Sequence, residues 1–202
     1  MPEMKLSGYI KTLIIGYIVI FAVNAVLSLC GVCSFSVWFA AYYPLLIILA
    51  YVILNLVAAL LCRVVPEDKI NVNAKLFRTF KFERKFYETL GVRKFKDKIP
   101  DVGAAFGFSK SEVSSIDAKY IEKFIKSTII GEIAHILGLL SCFIVFLIFN
   151  DYVLNFSLPC FLLNTYFNIL PIFVQRYNRP KLYRIYSRQI AQSEEKIEDV
   201  IK

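Results

Sequence analysis

The sequence predicts an all-α, polytopic membrane protein with four transmembrane helices and a cytoplasmic interfacial helical segment between helices 2 and 3. Composition is the first observation behind this: of 202 residues, 57% are hydrophobic and only 20% charged, with a mean hydropathy of +0.58. That balance is far from that of a soluble domain and calls for lipid to cover the apolar surface. The second is length, since four apolar runs can each cross ~30 Å of hydrocarbon at a rise of ~1.5 Å per residue. The third is charge, because the short connections that join the first run to the second and the third to the fourth hold no Lys or Arg.

The runs lie at 9–30, 36–62, 125–149 and 152–174. The first resembles a signal peptide in position, but it has no clear small-residue cleavage site and a second run follows at once, so it is expected to be retained. Lys11 stands near its start, and Glu132 and His135 are the ionisable groups well inside the third run. Of the 24 Lys and Arg, 2 precede the second run, 15 fall from Arg63 to Lys126 and 7 follow Val174. The positive-inside rule then places the N-terminus, segment 63–124 and tail 175–202 in the cytoplasm, with the chain a single membrane domain in the plasma membrane. The net charge of +8 suits anionic lipid head groups as partners. No groove-reading motif or zinc spacing points to nucleic acid or to a bound metal.

Within the cytoplasmic segment, 75–90 (KLFRTFKFERKFYETL) mixes Phe77, Phe80, Phe82, Phe86 and Tyr87 with Arg78, Lys81, Arg84 and Lys85. Rings among cations are the pattern of a helix lying in the membrane interface, and Gly91 suits its end. Residues 92–101 (VRKFKDKIPD) combine cations, acids and a proline, and 109–126 reads as polar helix. About sixty residues are too few for an independent enzyme domain, so any active centre must use the inner ends of the spans. The five cysteines sit mostly in apolar runs and read as reduced, buried thiols; Cys30-Gly-Val-Cys33 has redox spacing without the strand-then-helix setting.

Counting inward from Arg63, Lys126 and Gln175 puts Asn55, Glu132, His135 and Asn168 at one depth, roughly 9 to 14 Å inside. Glu132 and His135 share a face of the third span with Thr128, and Asn164, Asn168, Pro171 and Gln175 form a stripe on the fourth. A carboxylate at that depth costs ~2.5–3.5 kcal/mol and needs a partner or a cavity. One reading is structural, a hydrogen bond from Glu132 to His135 or Asn168 that ties the bundle. The other is chemical, with His135, the sole histidine, as general base and Glu132 setting its tautomer or holding substrate. Ion or proton movement stands as a third.

Three stretches, VRKFKDKIPD (92–101), IEKFIKSTIIGEIAH (121–135) and NILPIFVQRYNRPKL (168–182), together resemble the glycosyl-4,4'-diaponeurosporenoate acyltransferase family of carotenoid biosynthesis. The most specific piece is Gln175-Arg176-Tyr177-Asn178-Arg179-Pro180, followed by the E-x-x-H of Glu132 and His135. Departures from the family pattern fall at Phe95, Ser127, Ile129 and Ile130, which make the entry to the third span more apolar. The resemblance implies a small integral-membrane enzyme that moves a fatty acyl chain onto a sugar hydroxyl of a glycolipid. Such a reaction needs a base, oxyanion donors and a cationic seat for the acyl carrier. His135 with Glu132 is the catalytic candidate. Asn168, Arg176, Tyr177, Asn178, Arg179, Lys98 and Asp101 are the substrate-binding candidates. No cofactor is expected to be bound permanently, and acyl-CoA or another acyl carrier is the expected donor substrate. A small transporter and a non-catalytic scaffold for a partner enzyme are the other classes left open.

Overall fold

The computed structural model describes residues 6–96, 99 and 117–201. The predicted site residues Lys98 and Asp101 lie outside the described residues, as does Asp97. Among the described residues six α-helices follow in order: α1 (Leu6–Leu29), α2 (Val37–Val64), α3 (Lys81–Thr89), α4 (Val92–Phe95), α5 (Ala118–Ile148) and α6 (Leu158–Ile201). Among the described residues there is no strand. Helices α1, α2, α5 and α6 are long and apolar enough to cross a membrane. The expected runs are thus found, with different ends.

The third helix starts at Ala118, ahead of the expected 125, because the polar turn there continues the same helical path. The fourth does not stop at 174 but runs 44 residues to Ile201. At ~1.5 Å per residue that is ~66 Å, about twice a hydrocarbon core, so much of α6 lies beyond any bilayer it crosses. Residues 75–90 form two pieces instead of one helix: a 3-10 turn at Lys75–Phe77, then α3 after extended backbone at Arg78 and Phe80. Gly91, at φ 72°, takes the left-handed backbone that ends α3.

The chain divides into two compact units, Met1–Leu61 with Ala134–Pro171, and Cys62–Ile133 with Ile172–Lys202. In the first unit, buried Phe35, Tyr43 and Phe156 gather with Phe39, their ring centroids 4.6 to 6.0 Å apart. Phe156 belongs to a π-helical turn, Val153–Ser157, entered through Tyr152 at φ 48°. The same turn offers Asn155, which exchanges amide hydrogen bonds with buried Asn24 of α1: Nδ2 of Asn155 donates to Asn24 Oδ1 (2.8 Å) and Nδ2 of Asn24 to the Asn155 carbonyl (2.9 Å). An otherwise apolar helix therefore has its one buried amide satisfied. The flanks of α1 and α2 present bare apolar side chains such as Ile15, Val26, Trp38 and Leu61, as lipid-facing helices do.

In the second unit the core is Ile70, Val72, Ile121, Phe124, Ile125, Ile129 and Leu182. Helix α3 turns Glu83 and Tyr87 inward while Phe80, Phe82 and Phe86 stay exposed, so its buried side carries the polar groups. That inversion has a partner on α6, described below.

Truncating Phe156, which is fully buried, should lower stability by ~3–5 kcal/mol in Phe156→Ala, whereas Trp38→Ala, 83% exposed, should stay within ~0.5 kcal/mol. Thermal unfolding of the purified chain in detergent reads the difference.

Candidate functional site

Two polar constellations are built on the long helices, one in each unit. In the second unit, Arg176 of α6 binds two carboxylates. Its Nε and Nη2 donate to Oε2 and Oε1 of Glu83 at 2.8 and 2.6 Å, a bidentate pair, and Nη1 donates to Glu132 Oε1 at 2.7 Å. One helical turn later, Arg179 sets Nη1 2.5 Å from Glu132 Oε2. That contact lacks hydrogen-bond geometry and is ionic. The remaining donors of Arg179 go to Thr128 Oγ1, the Thr128 carbonyl and the Phe77 carbonyl, each at 3.1 Å. Glu132 is 4% exposed and Arg179 0%, so this is an internal salt-bridge network of two acids and two guanidinium groups.

Planar guanidinium suits the task because its N–H groups point outward in one plane, so Arg176 gives one edge to Glu83 and a further N–H to Glu132. Such a network adds little over a well-packed apolar core, but removing one member strands a buried charge. Glu83 has all its acceptor positions used: besides Arg176 it takes the Phe80 N–H (3.1 Å), closing the start of α3, and the Tyr87 hydroxyl (3.0 Å). Burial alone would raise the Glu83 carboxyl; the bonds from Arg176, the Phe80 N–H and Tyr87 outweigh it and hold the group below its ordinary value. Burial, reinforced by the adjacent carboxylate, pushes the Tyr87 hydroxyl up to about 12.

The first unit holds a neutral constellation around the histidine. His135 Nδ1 lies 3.1 Å from Asn168 Oδ1. Asn168 Nδ2 faces the Asn164 carbonyl at 3.0 Å, and also Oδ1 of Asn164 and of Asn55, each at 3.3 Å. Asn55 Nδ2 donates to Asn164 Oδ1 (2.7 Å), and Asn164 Nδ2 to Cys142 Sγ (2.9 Å). A backbone carbonyl only accepts, so it fixes which end of the Asn168 amide is NH2, and Oδ1 is left toward the ring. The neutral imidazole must then carry its proton on Nδ1 and keep Nε2 as the basic nitrogen. Gly138 makes room: a Cβ there would collide with Oδ1 of both Asn55 and Asn168.

The predicted residues that the structure describes have the following surroundings. Glu132 is met by Arg176 and Arg179 in the second unit, and His135 by Asn168 in the first. Arg176 and Arg179 are engaged by carboxylates and carbonyls and do not stand on an open surface. Tyr177 and Asn178, between them in sequence, are partly exposed. Asn168 is buried and committed on both ends of its amide. Sequence reasoning missed Glu83, Tyr87 and Gly138. The available signal was an acid and a tyrosine one turn apart within a basic helix, and a glycine one turn beyond the histidine.

The match to a family model confirms the sequence resemblance: the model described as glycosyl-4,4'-diaponeurosporenoate acyltransferase covers residues 73–188, more than half of the chain. No curated protein and no solved structure matches the chain. The matched stretch contains every residue of both constellations except Asn55.

Removing the acid from the network should cost ~3–5 kcal/mol in Glu132→Ala, since Arg179 is left buried without its counter-charge; the detergent unfolding midpoint measures it. Stability should also depend on pH through α3. The depressed Glu83 contributes fully above its unfolded value of 4.5, and its contribution disappears as pH falls through the folded value. Tyr87 contributes fully below 10.0, and the benefit is lost as pH rises through about 12. Unfolding followed against pH should show a weaker acid limb in Glu83→Gln and a weaker alkaline limb in Tyr87→Phe.

Proposed function

The chain belongs to the glycosyl-4,4'-diaponeurosporenoate acyltransferase family, and from that premise we propose that it is an integral-membrane acyltransferase acting on a hydroxyl of a glycosylated lipid. The acceptor class is a glycosylated, carotenoid-like lipid, the donor a fatty acyl thioester such as acyl-CoA. The reaction runs at the inner leaflet of the plasma membrane, with both termini cytoplasmic; the clustering of Lys and Arg in the middle segment and tail supports that orientation.

The observation that carries this reading is the Nδ1 contact of His135 with Asn168, itself oriented by the Asn164 carbonyl. Acyl transfer needs a base aimed at the acceptor hydroxyl, and an imidazole held in one tautomer has Nε2 ready for that proton. As the hydroxyl oxygen bonds to the thioester carbon, Nε2 takes its proton. When the tetrahedral adduct collapses, the C–S bond breaks and the imidazolium returns the proton to the departing thiolate. Asn168 acts here as a positioning residue, because its amide donors are taken by Asn164 and Asn55 and are not free for an oxyanion. Glu132 is a structural counter-ion of the arginines in this scheme and takes no proton from substrate.

His135→Gln should lower transfer of a radiolabelled acyl group from acyl-CoA to glycolipid by ~10²–10⁴-fold while the protein stays folded in detergent. Asn168→Leu should lower kcat with KM little changed. Undiminished transfer by His135→Gln would sink the assignment of the base.

A further inference from the structure

The second unit carries an open groove of about 590 Å³ that none of the residues discussed so far explains. One wall is the segment around the Lys75–Phe77 turn, which supplies Asn73, Arg78 and Thr79; the other is α6, which supplies Tyr183, Tyr186 and Ser187. Among the described residues lining it there is no carboxylate. The side chains present offer the Arg78 guanidinium, the Asn73 amide and the Thr79 hydroxyl as donors to an anion, beside two aromatic rings, while the Ser187 hydroxyl donates to the Tyr183 carbonyl at 3.0 Å.

The walls are built, and the family's arginine run builds them. Tyr183 donates its hydroxyl to the Val72 carbonyl, Arg179 Nη1 reaches the Phe77 carbonyl at 3.1 Å, and Arg176 Nη2 reaches the Arg78 carbonyl at 3.5 Å. Residues 72–78 are thereby pinned to α6 along their backbone, which fixes where Arg78 leaves the chain. Both tyrosine rings are held too, since the Tyr186 hydroxyl donates to Glu122 Oε2 at 3.1 Å. A platform whose rings are held and whose backbone at Arg78 is fixed loses less entropy when a ligand arrives. On α6, Arg184 and Arg188 each follow a groove residue in sequence and are exposed, so this stretch of the helix is positively charged.

We propose that this groove binds the phosphorylated nucleotide end of the acyl donor, with Arg78 as the direct phosphate contact and Tyr183 and Tyr186 as the surface for the base. The proposal rests on the acyltransferase reading for the identity of its ligand. It also reassigns the cationic seat expected from sequence: Arg176 and Arg179 position the wall from within, and Arg78 makes the contact. A phospholipid head group shares the phosphate chemistry but has no base to lie on the rings, and for that reason the nucleotide is the better fit.

The test is calorimetric titration of coenzyme A onto the purified full chain in detergent, with dioleoylphosphatidylglycerol as the lipid probe. Arg78→Glu should weaken coenzyme A binding by about tenfold or more, as loss of a charge-assisted contact does. Ala191→Trp, which fills the groove without changing charge, should weaken it as well and decides the matter if Arg78→Glu fails to fold. Arg84→Glu, whose side chain meets Glu88 on the exposed side of α3, should leave binding within about twofold. Coenzyme A binding unchanged in both groove variants would overturn the proposal, as would uptake of phosphatidylglycerol through Arg78 with no binding of coenzyme A. Turnover of acyl-CoA with KM unaltered in those variants removes the groove and leaves the acyltransferase reading. Coenzyme A held in the groove by a chain that acylates nothing removes that reading and leaves the groove.

Discussion

A polar group on an apolar helix must find a partner before the helix can pack, and that constraint organises this protein. Helices α5 and α6 each carry several such groups, and each unit answers in its own way. The second unit answers with charge: two carboxylates against two guanidinium groups, all largely buried. The first answers with neutral amides, where Asn55, Asn164 and Asn168 pass hydrogen bonds among themselves and on to His135. A buried charge left alone is far more costly than a buried amide left alone, so the ion network is the less forgiving of the two.

The two answers suit different work. Arginines saturated by carboxylates and backbone carbonyls hold α3 and residues 72–78 against α6, and a site can be hung on what they hold. An imidazole whose Nδ1 donates to an amide oxygen is fixed in one neutral tautomer, the condition on which the proposed base role rests. Two residues one turn apart on α5 thus differ in their partners, and helical spacing cannot show that.

Much of the architecture could be read from sequence because lipid imposes its requirement on length and composition directly. The four apolar runs, the turn at Gly91 and the shared polar face of Glu132 with Thr128 are of this kind. Boundaries were less legible: α6 continues past Val174 because nothing in its polar half breaks a helix, Pro180 included, and hydropathy reports only where the apolar part ends. The stretch at 75–90 read as one amphipathic helix because its rings and cations alternate smoothly; Glu83, the residue that decides which side faces inward, was one acid among many cations. The resemblance in 168–182 singled out Arg176 and Arg179, and both stand in the ion network. Their chemistry pointed to phosphate, yet in the fold carboxylates from α3 and α5 reach them first.

The central claim is that His135 is held as the Nδ1-protonated tautomer by an amide whose own direction is set by a backbone carbonyl. With one histidine in the chain, 15N NMR of histidine-labelled protein in detergent reads that nitrogen pair without assignment. At neutral pH the account predicts one protonated nitrogen, coupled to the Hδ1 proton, and one bare Nε2, with the pattern lost in Asn168→Leu. A spectrum dominated by the Nε2-protonated tautomer, or one that Asn168→Leu leaves unchanged, would contradict it.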